Sequence, residues 1–304
     1  MFENNAALFL YSVSPVHMGA GTATGVIDSP IQREVHTQHP SFAGSGLKGA
    51  IRHGFKALGG NEAFADKLFG PRDGALHAGA VSIGDAQLIA LPVRTRRQGY
   101  AYATSPLALA RLQRLLNQIG VHHEWTVPDL PDGDQTRAPA ALTPGGLEKL
   151  TSDGSRLHLE VFELAAQADP GVAAIGEWLS EHALSSAHNG YFRDKLARDL
   201  VVLSDTDLAY FSCNAMVIEP HVSIDPETGT ADGGFLFYTE NLPPESLLVA
   251  PVMTSAERSG EKSLDSAAVM GQLRTALDHN TLQIGGDATT GRGLVTARLA
   301  EGTQ

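Results

Sequence analysis

Residues 39–52 read HPSFAGSGLKGAIR. After Gly44-Ser45-Gly46 the apolar residues Leu47, Ile51, Phe55 and Leu58 recur at helical spacing, while Lys48, Arg52 and Lys56 step by four along a neighbouring stripe. That spacing predicts an amphipathic helix with a basic edge. Glycines let a backbone approach a ligand closely, N–H groups at a helix start attract anions, and the three cations add full charges beside them. The combination is a phosphate-binding design. It is not a Walker loop, because the GxxxxGK[ST] spacing is absent. The same residues also fit an ordinary capped helix with solvated charges.

Working outward from this helix, Leu8-Phe9-Leu10-Tyr11-Ser12-Val13 is short, apolar and bounded by Pro15 and Gly19, which predicts a buried first strand. Beyond it, Asn61 can cap a short helix that Gly70-Pro71 ends, and 79–92 reads as strand, turn, strand. Ser105-Pro106 supplies an N-cap and first helical position for Leu107 to Ile119, which Gly120 closes. The stretch 126–155 is rich in Pro, Gly and Asp without periodicity and reads as a mobile loop. Helices are predicted over 172–184, 192–200 and 265–277. Strands are predicted over 217–224, 235–239, 247–252, 281–284 and 294–299, with a hairpin turn at Asp225-Pro226-Glu227-Thr228-Gly229. Strand, helix, strands, helices, strands, helix, strand is an α+β order, and one domain spanning 1–304 is expected.

A chain of 304 residues, 42% hydrophobic and 18% charged, can bury a substantial core, which excludes whole-chain disorder. Its single cysteine, Cys213, leaves no internal disulfide or thiolate cluster and is expected in the core. The first residues lack a basic leader and no segment suits a membrane span, so a soluble, cytoplasmic protein with no membrane partner is expected. The net charge of −12 is uneven. Between Gln87 and His123 there is no acid, but Arg94, Arg96, Arg97, Arg111 and Arg114 are present; between Asp199 and Glu257 there is neither Lys nor Arg. Either run can be a solvated face, yet the basic one leaves room for an anionic partner.

Two further segments can carry chemistry. Residues 285–293, GGDATTGRG, place four glycines and Arg292 between two predicted strands, which suits either a loop wrapped on phosphate or a hairpin needing positive φ. Residues 17–34 set Asp28 in a glycine-rich loop with His17, Arg33 and Glu34, a mixture able to hold a divalent cation beside a phosphodiester; Asp28 before Ser29-Pro30 also suits a plain turn. No GxSxG elbow is present, and His36-Thr-Gln-His39 has metal-site spacing without a third ligand.

In order, SPVHMGAG, IDSPIQRE, HPSFAGSGLKGAIR, SIGDAQLIALPVR, HVSIDPETGTADGGFLFYTENLP and IGGDATTGRG make the chain resemble the RAMP superfamily of CRISPR proteins over about residues 8–298. IDSPIQRE and the length make it similar to the backbone subunit of type III-B (Cmr) complexes. The resemblance implies a ferredoxin-like (RRM-like) palm with a mainly helical insertion near 100–200 and a protruding thumb hairpin near 217–240. It implies copies stacked along a CRISPR guide RNA beside other Cmr subunits, cutting complementary target RNA at regular intervals. Asp28 falls at the position of the family's catalytic aspartate, which works with Mg²⁺ or Mn²⁺, and His17 and Glu240 at those of supporting active-site residues. Ser45, Gly46, Lys48 and Arg52 fall on the guide-binding loop and helix, and Gly286, Thr290 and Arg292 on its glycine-rich loop. His221, Val222 and Ile224 fall on the wedge between guide and target. Relatives carry a basic residue near the start of that wedge, whereas Glu219-Pro220-His221 stands here.

Other readings of the same residues stay open. A non-catalytic guide-RNA scaffold would not need Asp28. A guide-processing ribonuclease with His17 as base would work in EDTA, and a small-molecule enzyme would use the two glycine-rich loops for a nucleotide.

Overall fold

The computed structural model describes residues 2–302 except 22, 24, 73–76, 131–139, 145–149, 152–153, 186–189 and 262. Third from one end of its large sheet lies β1 (Asn4–Ser12), whose side chains alternate between two cores. Ala6, Leu8 and Leu10 enter one; Ala7, Phe9 and Tyr11 enter the other, and all six are buried. A strand covered on both faces has no solvent side to pattern, so its sequence is a continuous apolar run.

Following β1 come β2 (Ser41–Phe42), α1 (Gly44–Gly54), α2 (Ala65–Phe69), β3 (Val81–Ile83) and β4 (Ala86–Arg94). Much later the chain returns with β12 (Leu247–Thr254), α7 (Ser266–Leu277), β13 (Thr281–Gln283) and β14 (Leu294–Glu301). In space β14, β1, β12 and β4 lie side by side, each pair antiparallel. Leu47 and Ile51 of α1 share the first core with Val269, Met270 and Leu273 of α7, so both helices cover one face.

The segment between β4 and β12 covers the opposite face and lengthens the sheet. It contains β5 (Tyr100–Thr104), α3 (Pro106–Ile119), β6 (Ala140–Thr143), β7 (Arg156–Leu159), β8 (Phe162–Ala168), α4 (Pro170–His182), α5 (Gly190–Asp199), β9 (Leu200–Val202) and α6 (Asp205–Asn214). Strands β5, β9, β6, β8 and β7 extend the sheet beyond β4, with parallel pairing at β5–β9 and β6–β8. The insertion carries strands beside its helices, and these strands are seven residues long or shorter, too brief for a readable period. Parts of the expected loop 126–155 lie outside the described residues; within it, β6 is a paired strand. A separate ribbon, β10 (Val217–Ile224) and β11 (Ala231–Asn241), forms its own two-stranded sheet.

Local signals account for the boundaries. The Ser105 hydroxyl accepts from Ala108 N, and Gly120 closes α3 with φ 72°. The Asp265 carboxylate accepts from Ala268 N at 2.7 Å at the start of α7. Helix α6, absent from the sequence reading, carries a cap of the same kind: the Ser204 hydroxyl accepts from Asp207 N at 3.0 Å and donates to its carboxylate at 2.7 Å. Cys213 sits on that helix exposed, not in the core, because Leu208 and Phe211 supply the helix's buried side.

Candidate active site at the root of the hairpin

Pro220 faces Tyr238 across the ribbon. Proline has no N–H to give its partner, and Tyr238 directs its own backbone groups away from it, onto the Asp28 loop. Tyr238 N donates to Asp28 Oδ2 at 2.8 Å, Ser29 N donates to Tyr238 O at 3.1 Å, and Glu240 N donates to Ser29 O at 3.0 Å. Ser29 thus runs beside Thr239 as a parallel bridge, a third edge on the ribbon. Asp28 is exposed, with one carboxylate oxygen anchored.

Glu240 lies two residues along the same strand and is nearly fully buried. One oxygen accepts from Ile31 N at 3.0 Å and the other is ion-paired with Arg33. Arg33 also donates to Gln38 O at 2.7 Å and to Ser212 O at 2.8 Å. The IDSPIQRE segment is therefore clamped between the hairpin root and the end of α6, and the carboxylate of Glu240 faces protein instead of solvent. Next to it, Glu34 meets Arg111 at 2.7 Å. Burial raises the Glu34 carboxyl, but the Thr37 hydroxyl and the Arg111 guanidinium outweigh it and hold the group below its ordinary range.

His17 is buried behind this loop. Its Nδ1 lies 2.7 Å from Glu240 O, and a carbonyl only accepts, so Nδ1 donates this hydrogen bond. The Ser29 hydroxyl stands 3.3 Å from Nε2, and a Cβ at Gly19 would come within 2.9 Å of it. Gly286 N donates to His17 O at 2.9 Å, and a side chain at Gly285, where φ is 82°, would collide with that carbonyl. The loop 285–293 is thereby seated directly against His17.

The expected anion site at the start of α1 is narrower than the sequence implied. Asp85 Oδ1 accepts from Gly44 N at 2.7 Å and Gln32 Oε1 from Ala43 N at 2.8 Å. Exposed Ser45 and Gly46 follow with backbone N–H groups that have no partner among the described residues. Of the basic edge, Arg52 pairs with Asp66 at 2.6 Å and Lys56 with Glu62 at 2.7 Å. Lys48 donates to Val81 O at 2.9 Å; burial, with Arg52 and Arg258 nearby, pushes its ammonium below the ordinary range. Arg292 is likewise engaged, by both oxygens of Glu219, while exposed Thr290 turns its hydroxyl back to Asp287 O. Glu219, near the start of the ribbon, is thus the partner of the glycine-rich loop's arginine.

On the ribbon, Val222 and Leu236 pair across the strands and are both at least half exposed, and Ile224 is exposed beside a bulge. On the opposite face His221 stacks on Phe237 at 4.9 Å and meets the Thr239 hydroxyl at 2.9 Å. Sequence reasoning named His221, Val222 and Ile224, and set Arg33 in the Asp28 loop and Pro220 at the start of the wedge, but missed Leu236 and Phe237. Their signal was the register of β10 against β11, which a single strand cannot display.

Known proteins bear on this geometry. The RAMP superfamily profile matches residues 9–296. The CRISPR system Cmr endoribonuclease Cmr4 of Pyrococcus furiosus is 33% identical over 301 residues, 97% of this chain and 95% of that protein. Oligomeric Cmr4 from Pyrococcus furiosus superposes with a TM-score of 0.75 at 26% identity, covering 99% of both chains. A chain of the type III-B Cmr-beta complex bound to cognate target RNA shares the fold at TM-score 0.70 and 18% identity, over 98% of each. Matched by the profile over nearly its whole length and by a one-third-identical relative almost end to end, the chain belongs to the RAMP superfamily and is a homologue of Cmr4.

Proposed function

We propose that the chain is the guide-RNA-binding backbone subunit of a type III-B complex and the endoribonuclease that cuts target RNA paired to the guide. Support comes from its relationship to an endoribonuclease and from the oligomeric form of that relative. We read β1-α1-β4 and β12-α7-β14 as the ferredoxin-like palm and the β10–β11 ribbon as the thumb. The carrying observation is the backbone pairing of Asp28 and Ser29 with Tyr238 and Glu240. It ties the cleaving carboxylate to the root of the wedge, so that cuts recur once per subunit.

RNA supplies its own nucleophile. The 2′-OH attacks the adjacent phosphorus, the bond to the 5′ oxygen breaks, and the proton lost from one oxygen is balanced by the one the other gains. A 2′,3′-cyclic phosphate and a 5′-hydroxyl result. Exposed Val222, Ile224 and Leu236 unstack a nucleotide and bring the 2′-OH in line with the leaving oxygen. Among the described residues no three His, Cys, Asp or Glu side chains form a cation cage. One exposed carboxylate would hold Mg²⁺ or Mn²⁺, and such an ion would neutralise charge developing on the phosphate. Asp28 holds that position. Glu240 and His17 position it: one clamps Ile31 and Arg33, the other fills the space behind Ser29, whose hydroxyl meets its Nε2.

Guide phosphates lie along Ser45 and Gly46, with Lys48 and Arg52 beside them, and Gly286, Thr290 and Arg292 of the glycine-rich loop contribute further contacts. Among the described residues no helix is long and apolar enough to cross a membrane, and a cytoplasmic location belongs to the same reading. The test is cleavage of end-labelled RNA complementary to the bound guide, in Mg²⁺ or EDTA, by wild-type and Asp28→Ala complexes. A regularly spaced, metal-dependent ladder that falls by about 100-fold or more in the variant, with RNA binding retained, is expected. Retained binding without a ladder in the wild type would leave a scaffold.

A further inference from the structure

A cleft of about 740 Å³ opens between residues 121–125, helix α4 and the end of β14, on the face of the sheet away from α1 and α7. Both tryptophans of the chain, Trp125 and Trp178, line it. They meet edge to face at 5.9 Å, and His182 stacks on Trp178 at 4.4 Å. Along its rim stand Glu177 and Glu181, exposed and without a side-chain partner among the described residues, and Glu124. Trp125 is 5% exposed, yet its indole N–H has no acceptor. A buried donor left without a partner is costly, and here it borders an open cleft. Aromatic faces, free carboxylates and one unsatisfied donor together describe a receptor for a guanidinium carried on a peptide: cation–π contact, ion pairing, and a carbonyl for the indole. The rim carboxylates repel RNA phosphate.

This chain carries such a peptide. Between β4 and β5, residues Arg94, Arg96 and Arg97 are exposed on a turn closed by Thr95 N donating to Gly99 O at 3.0 Å and fastened by the Thr95–Leu159 bridge. Arg96 makes no ion pair among the described residues. Strand register sets turn and cleft at opposite ends: Ala300 pairs with Ala7 near the start of β1, whereas Ala90 pairs with Leu247, the partner of Tyr11, and β4 continues outward to Arg94. The separation along the strands is roughly 25 Å at about 3.3 Å per residue. Different patches on opposite ends are what a head-to-tail contact requires.

We propose that the Trp125–Trp178 cleft receives the Arg94–Arg97 turn of a second copy of this chain. The contact rests on the reading of the chain as a stacked subunit and gives that stack a specific protein–protein joint. Guide-RNA-bound protein is compared by sedimentation as wild type, R96E/R97E, E177R/E181R and the four-residue swap, with unfolding curves to confirm each fold. Each one-sided reversal should weaken association between copies by about tenfold or more, and the swap should restore most of it. Tryptophan emission, which reads this cleft alone, should shift on association of the wild type and the swap but not of R96E/R97E. Variants that stack as tightly as wild type, or a swap without recovery, overturn the joint and leave the stacking reading intact. A wild type that stays monomeric on guide RNA overturns both. Loss of guide affinity in R96E/R97E with E177R/E181R unaffected assigns the turn to RNA and overturns the joint.

Discussion

The sheet strand β1 and the ribbon β10–β11 are both rich in apolar residues, but they use them oppositely. Every side chain from Ala6 to Tyr11 is buried, shared between two cores. On the ribbon Val222, Ile224, Leu236 and Phe237 are each at least 45% exposed. Apolar surface displayed on a two-stranded sheet adds nothing to the stability of the isolated chain, and its place is against a partner. Stability resides in the sheet; under the proposed function, the ribbon keeps its apolar residues for RNA.

The sharpest way to break this contrast is to truncate one aromatic on each side. Phe9→Ala should cost about 3–5 kcal/mol in denaturant unfolding, since it empties a fully enclosed site. Phe237→Ala should cost under about 1 kcal/mol while changing the spacing or yield of the cleavage ladder. Equal losses of stability would erase the distinction. Between the two regions stands the Glu240 clamp. Glu240→Gln removes the counter-charge of Arg33 and should destabilise by about 1–3 kcal/mol, less than a fully buried pair because Arg33 keeps some solvent. Cleavage should fall with it while the products stay the same, as fits a group that positions Asp28.

A smaller effect belongs to the guide side. Lys48→Gln should weaken guide binding by about three- to tenfold and lower the slope of log K against log salt by about one in a filter-binding titration. Arg292→Gln should change that slope less, because Glu219 already holds the guanidinium. The least effect at neutral pH comes from the phenols of Tyr11 on β1 and of Tyr100 and Tyr102 on β5. Tyr11 OH lies 2.9 Å from Tyr102 OH, and Tyr100 OH 3.1 Å from it. Burial raises all three, Tyr102 to about 12. An acid whose folded value exceeds its unfolded value near 10 adds stability in full below pH 10 and loses it as pH climbs toward 12. The denaturation midpoint should therefore drop across that window, and Tyr102→Phe should flatten the drop.

Much of the fold was legible in residues 39–52, 105–120 and 265–277, where glycine, serine and aspartate signals mark helix ends through groups within a few residues of each other. Asp28, Lys48 and the ribbon were reachable from motif order. The insertion's short strands were not, since β6 is held by β8 and β9, elements distant in sequence. Nor was the state of the charges. Lys48, Arg52 and Arg292 looked alike as phosphate ligands, and the folded chain gives them Val81 O, Asp66 and Glu219 as partners.

Sequence alone determined what depends on neighbours along the chain: helix caps, the apolar run of β1, the hairpin turn and the residue types at the candidate site. Tertiary structure decided what depends on partners far away in sequence, above all that Asp28 is anchored by Tyr238, 210 residues on, and that Glu240 is buried while Asp28 remains open. The physical reason is that a carboxylate's chemistry is set by its solvation and its hydrogen-bond donors, and those are assembled only when distant strands pair.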